Sequence, residues 1–299
     1  MHYRPNPLAR GLRGSRTMLL GVIVREITDP FFAVAVDAVS SEANRRGYNV
    51  VLGHAHGRTD EALAVGAVLE TRHCDAIMVL GDTSDQPRLL EDLRGGNVHV
   101  VGMWQGSGVV QGLHTVTVDN ASGINDLMDH LLALGHRRVA FISGGFSEGR
   151  LLGDIAERRT AFLERMAAEH LEIGPGFLRE APNTMKGGAE AFEALMSLPL
   201  HPTAILASTD LLAIGALHAA YKMRIAIPAE VSLVGFDDLP MSAFTNPPLT
   251  TVRMPTAEMA RVGVQVAIDA AGDRAGRALE VLAPSIVLRE SSGPPPRSR

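Results

Sequence analysis

The chain has 299 residues, 46% hydrophobic and 20% charged, with a net charge of −5. That length suits one large or two medium soluble domains, and the composition excludes a fibrous or largely disordered protein. A single cysteine, Cys74, excludes an internal disulfide framework and is compatible with a reducing compartment, and no apolar run is long enough to span a bilayer.

The first sixteen residues carry Arg4, Arg10, Arg13 and Arg16 and no acid, so a basic arm precedes an acidic body. Such an arm is suited to meet a polyanion. Within it Asn6 is a good helix cap, Pro7 takes the first helical position, Leu8 and Leu12 share a face, and Gly14 ends the element. That is about two turns, short of the ~12 residues an isolated helix needs, so the helix is expected only when something holds it. The run 18–24 follows these arginines but is itself followed by Arg25 and Glu26, where a leader would carry small residues, and it reads as a buried strand.

From there short apolar runs alternate with helical patterns. Strands are expected at 18–24, 49–53, 76–80, 98–103, 115–118, 138–142, 204–207 and 232–236. Most lack polar alternation, as strands buried on both faces of a parallel sheet do. One intervening helix has Asp29 as cap, Pro30 at its first position and Gly47 beyond its end; another runs over 120–135. The rhythm predicts α/β layers with right-handed crossovers. It breaks in the Gly-rich segment 103–114 and restarts at Thr115, which predicts two similar lobes with a ligand cleft at the carboxyl ends of their strands. The last stretch, 291–299, is rich in Ser, Gly and Pro and is expected to be a disordered tail.

The segment 3–13, with Asn6, Arg10, Leu12 and Arg13, resembles the hinge helix of the LacI/GalR transcriptional regulators. Further blocks match in order: Leu20-Gly21-Val22-Ile23-Val24, Asp29-Pro30-Phe31-Phe32, Asp119-Asn120, Leu134-Gly135-His136-Arg137-Arg138, residues 158–162, Thr209-Asp210, residues 227–238 and Pro248-Leu249-Thr250-Thr251-Val252. The resemblance implies an α/β fold of two doubly wound parallel-sheet lobes, periplasmic-binding-protein-like of type I, joined by three crossovers. The expected division is a hinge arm at 1–16, a first lobe at 17–118 plus 251–278, and a second lobe at 119–250 plus 279–290. It further implies a cytoplasmic homodimer that responds to a small-molecule effector. Operator DNA is a partner only through an N-terminal helix-turn-helix, and the chain is expected to lack that head. Leu12 stands where family members wedge a leucine into the minor groove; without the head it reads rather as an apolar linker residue.

By family position Arg158 and Asp237 face the effector. A polyol or carboxylate needs a planar fork of donors and an ionised acceptor, which these two supply. The competing readings are a solvated helix residue beside Arg159 and a turn-forming acid before Asp238 and Pro240. Thr209 stands where relatives place a polar contact, with Asp210 as a helix cap. Trp104 is either a stacking face for a sugar or a partly buried interface residue. Asn183 replaces an aromatic that closes over purine-type ligands in some relatives, and Phe31 lines the cleft or belongs to the core. His54 and His56 alternate on one strand end without a convincing third metal ligand, so no metal site is expected. Neither a dinucleotide or phosphate-loop fingerprint nor a nucleophile elbow is present, so no cofactor and no enzyme activity are expected. The leading expectation is an effector-sensing regulator of sugar or sugar-acid type. The alternative is a solute-binding protein of a sugar transporter, against which the basic arm argues.

Overall fold

The computed structural model describes residues 16–296, leaving out 84, 85, 87, 88, 90, 91, 94, 97, 107–112, 148, 149 and 273–278. The expected hinge helix, with Asn6, Arg10, Leu12 and Arg13, lies outside the described residues. The chain divides into two compact units, Met1–Thr117 with Thr256–Leu282 and Val118–Pro255 with Ala283–Arg299.

The first unit is built on β1 (Leu19–Val24), β2 (Asn49–His54), β3 (Ala76–Leu80), β4 (His99–Met103) and β5 (His114–Val118). These pair in parallel in the order β5-β4-β3-β1-β2, and β13 (Leu279–Leu282) adds a strand beside β5. β3 is buried along its whole length and β1 at all but its first residue, which is why neither shows alternation in the sequence. Helix α1 (Pro30–Arg45) starts as its sequence specifies, with the Asp29 carboxylate accepting from the Phe31 N–H and Pro30 in the first turn. Helices α2 (Thr59–Thr71) and α7 (Thr256–Ala270) belong to the same unit. Its core gathers Ile23, Leu69, Ile77, Val79 and Leu89.

The second unit holds β6 (Val139–Ser143), β9 (Leu178–Glu180), β10 (Ala204–Ala207) and β11 (Ser232–Val234), parallel in the order β11-β10-β6-β9. Two short antiparallel pairs accompany it: β7 (Phe146–Ser147) with β8 (Arg150–Leu151), and β12 (Thr251–Arg253) with β14 (Ser285–Val287). Its helices are α3 (Asn120–Ala133), α4 (Gly153–Ala168), α5 (Met185–Met196) and α6 (Asp210–Met223). Phe192, Ile205, Leu233 and Ala216 are fully buried in its core, each large apolar side chain contributing about 1.5–3 kcal/mol.

In both sheets the first strand lies between the second and third. This ordering opens a crevice at the carboxyl ends of the first and third strands, which are β1 and β3 in one unit and β6 and β10 in the other.

The structure departs from the expected boundaries in three places. The return to the first unit falls at Thr256 rather than near Thr251, because β12 pairs with β14 and Asp237 bridges Arg253. Residues 279–282 belong to the first sheet and not to the second lobe, since β13 hydrogen-bonds β5. The expected disordered tail is docked over its described part. Ser291 is fully buried; its hydroxyl donates to the Leu233 carbonyl at 2.6 Å and accepts from the Thr250 N–H at 2.8 Å. Composition gave no sign of this, because the segment is held by backbone and hydroxyl hydrogen bonds rather than by apolar burial.

Candidate functional site

Arg158 lies one turn into α4, on the face that also buries Ile155, Ala161, Phe162 and Met166. Helical spacing therefore carries a guanidinium into the interior, where it is 3% exposed and must be matched. Its Nε donates to Asn120 Oδ1 at 2.8 Å and Nη1 to the Ser208 carbonyl at 2.7 Å, while the guanidinium carbon sits 3.8 Å above the Phe236 ring. The nearest carboxylates stand farther off, Asp237 Oδ1 at 3.5 Å and Asp154 Oδ2 at 3.9 Å. The short bonds thus go to neutral oxygens, and the positive charge is matched only at longer range.

Asp237 follows β11 in a turn where it and Asp238 both take positive φ, 125° and 54°. The turn is pinned by the Asp237 N–H donating to the Val252 carbonyl at 2.9 Å. Asp238 has a separate task, pairing with Arg253 at 2.7 Å and Arg289 at 2.6 Å. The two adjacent acids therefore do different work, one at the Arg158 guanidinium and one in a structural ion-pair cluster.

Thr209 caps α6, its hydroxyl accepting from the Leu212 N–H at 3.4 Å and donating to Asn183 Oδ1 at 2.7 Å. The cap is thus Thr209 and not Asp210. The Asp210 carboxylate is instead fully buried, accepting from the Leu239 N–H at 2.9 Å and from the Ser242 and Thr251 hydroxyls. Burial pushes its pKa up, against the pull of those hydrogen bonds. Asp210 thereby clamps the 3-10 turn Pro240–Phe244 and β12, which fixes the loop carrying Asp237. The second unit therefore holds two hydrogen-bonded pairs, Arg158 with Asp237 and Thr209 with Asn183, brought side by side because Arg158 also donates to the carbonyl of Ser208, the residue before Thr209. Ser208 lies at the carboxyl end of β10 and Gly144 at that of β6, where the Gly144 N–H donates to the Ser208 hydroxyl at 2.9 Å.

Asn120 was not singled out from the sequence as a site residue. It is 2% exposed, and it accepts from Arg158 while donating to Glu157 Oε2 at 2.9 Å. The Asp119-Asn120 pair at a helix start was the available signal, but such a pair reads first as a cap.

In the first unit Phe31 and Trp104 meet edge to face, ring centroids 5.8 Å apart at 90°. Trp104 is 4% exposed, so it presents no open face for stacking. Gln105 beside it is buried and holds Thr83 and the Gly81 carbonyl. The His54 and His56 rings lie tilted at 41° with centroids 3.7 Å apart, and the Ile27 N–H donates to His54 Nε2 at 3.3 Å. Among the described residues no group of three or more His, Cys, Asp or Glu is placed to hold a metal.

Residues 128–292 match the family model of the periplasmic binding protein-like domain. The transcriptional regulator GalS of Salmonella typhimurium is 31% identical over 97% of this chain and 84% of its own. The chain belongs to the LacI/GalR family of transcriptional regulators. A solved LacI transcriptional regulator from a Rhodococcus species is 30% identical, with a TM-score of 0.81 over 93% of this chain and 100% of that one. The solved complex of the regulator CelR with cellobiose is 25% identical, with a TM-score of 0.81 over 97% of this chain and 86% of that one. These LacI/GalR relatives are regulators rather than enzymes. No helix among the described residues is long and apolar enough to cross a membrane.

Proposed function

We propose that this chain is the effector-sensing and dimerising part of a cytoplasmic LacI-type regulator, and that its effector is a small polar metabolite, a sugar or sugar acid. The observation that carries the reading is the state of Arg158. A buried guanidinium whose short bonds go to neutral oxygens, with Asp237 at 3.5 Å, offers both a donor fork and an acceptor to a hydroxylated ligand. Asn120 and Ser208 orient that fork, and Thr209 and Asn183 extend the polar surface. The relative crystallised with cellobiose supports the sugar class. Large apolar side chains exposed on the second unit, Tyr221 at 80% and Phe244 at 88%, support association with a second copy.

A thermal-unfolding screen tests the effector class, because a ligand that binds only the folded state stabilises it, by about 2.7 kcal/mol at a hundredfold excess over Kd. Cellobiose, neutral hexoses, pentoses and their sugar acids form the panel. The expected result is a raised midpoint with at least one of them. A panel without effect at millimolar concentration, beside a clear response to a nucleobase or an amino acid, would overturn the sugar reading. Sedimentation at micromolar concentration is expected to give a dimer.

A further inference from the structure

We propose that residues 289–293 form a strap that acid releases from the second unit, with His130 and His136 as its proton-sensitive catch. Strand β11 ends the second sheet, with β10 on one side. Its other side is covered in two parts. Just past the strand, the Gly235 N–H donates to the Thr250 carbonyl at 2.9 Å. The strap, which continues from β14, covers the rest. The Leu233 N–H donates to the Ser291 carbonyl at 2.8 Å, and the Ser291 hydroxyl returns a bond to the Leu233 carbonyl at 2.6 Å. The Gly293 N–H donates to the Ser232 hydroxyl at 3.0 Å, which in turn donates to the Gly293 carbonyl at 2.9 Å. Backbone groups that a sheet edge would leave unpaired are thus satisfied by the chain itself. The strap begins at Arg289, which pairs with Asp238 beside the turn carrying Asp237.

Two imidazoles grip the far end of the strap. His130, on α3, stands with Nε2 2.9 Å from the Ser292 hydroxyl. His136, between α3 and β6, stands with Nε2 2.8 Å from the Gly293 carbonyl and 3.0 Å from the Ser232 hydroxyl, and with Nδ1 3.0 Å from the Thr203 hydroxyl. His136 is fully buried under these contacts. It is faced by His130 from α3, Arg137 from its own loop, the hydroxyls of Thr203 and Ser232, and the strap backbone. Burial, His130 and Arg137 all oppose its cation, and the Gly293 carbonyl alone favours it. Burial also lowers the pKa of His130. Among the described residues no carboxylate offsets the charge on either ring. Lifting the strap returns both rings to water and to the ordinary value of 6.5. The open state therefore binds protons more readily than the closed one. Above pH 6.5 neither state takes up a proton and the strap is held in full. Below it each proton favours the open state, until the pH passes the closed-state values.

Hydrogen exchange read by mass spectrometry on the whole chain tests this, with each rate divided by the intrinsic rate at the same pH. Peptides covering 288–293 report the strap, and those covering β6 and β10 report the rest of the second unit. Between pH 7.5 and 5.5 protection of the strap is expected to fall about tenfold, the effect of one proton over one pH unit below 6.5, while β6 and β10 stay protected. His130→Gln with His136→Gln keeps polar side chains that do not titrate, and this double variant is expected to protect the strap equally at both pH values. Unchanged protection of the wild-type strap on acidification overturns the proposal. So does a fall that persists in the folded double variant, or one shared by β6 and β10, which is unfolding of the unit and not release. Should the double variant fail to fold, the imidazole nitrogen resonances of the wild type decide. His130 and His136 are expected to take up their protons over the pH range in which the strap opens, and protonation of both with the strap still protected overturns the proposal.

Discussion

Ser291→Ala isolates the docked C-terminal segment. The Ser291 hydroxyl is fully buried and bridges two strand-end groups, accepting from the Thr250 N–H at 2.8 Å and donating to the Leu233 carbonyl at 2.6 Å. Alanine fits the space but leaves a buried donor and a buried acceptor unmatched. Each costs about 1–3 kcal/mol, the carbonyl toward the lower end because its second lone pair tolerates the loss better. The expected destabilisation is therefore about 2–4 kcal/mol. Urea unfolding should be followed by circular dichroism and not by tryptophan emission, since Trp104 belongs to the first unit and Ser291 to the second. A loose tail would give no change. A loss under about 0.5 kcal/mol, the scale of an ordinary surface substitution, would refute the argument that this segment is part of the fold.

Two further outcomes follow from the same packing. His136 is fully buried, contacting Thr203, Ser232 and the Gly293 carbonyl, and burial lowers its pKa below the ordinary 6.5, with His130 and Arg137 adding to the effect. Below pH 6.5 the unfolded chain takes up a proton that the folded one resists, so stability falls as the pH drops toward the folded pKa. His136→Gln is expected to flatten that dependence in urea titrations, and an unchanged slope would contradict it. Burial and the neighbouring Asp75 push the Cys74 thiol up to about 11; the native protein is therefore expected to resist iodoacetamide at pH 8 and to react on unfolding. Rapid alkylation of the native state would contradict the burial.

The legible parts of this fold are those written in local pattern. Apolar runs gave β1, β3 and β10, and Asp29-Pro30 gave the start of α1, because burial on both faces and helix capping each act over a few residues. What stayed illegible depends on partners distant in sequence. Strand β9 is short and contains Arg179 and Glu180, so it shows no apolar run, yet it completes an edge of the second sheet. Strand β13 reads as a crossover because only its pairing with β5 shows where it belongs. At the site, Arg158 and Asp237 were reachable through family motifs. Asn120, although inside the Asp119-Asn120 block, was not singled out, nor was Gln105, since a buried amide is identified by the groups it satisfies on both sides. Trp104 was noticed as an aromatic, but local pattern did not show that it would be only 4% exposed.

The central claim is that Arg158 and Asp237 hold a polar effector, and calorimetry with the sugar selected by thermal screening tests it most directly. Arg158→Lys keeps the charge but loses the planar fork, and Asp237→Asn keeps the shape but loses the ionised acceptor. A hydrogen bond to a charged group contributes about 1.5–3 kcal/mol, and 1.4 kcal/mol is tenfold in Kd. Each variant is therefore expected to bind about 10- to 100-fold more weakly than wild type. Arg159→Ala, which removes a largely solvent-facing pair with Glu180, is expected to bind as wild type does. If both site variants, folded by circular dichroism, bind the sugar as tightly as wild type, the effector is held elsewhere and the assignment of this site is wrong.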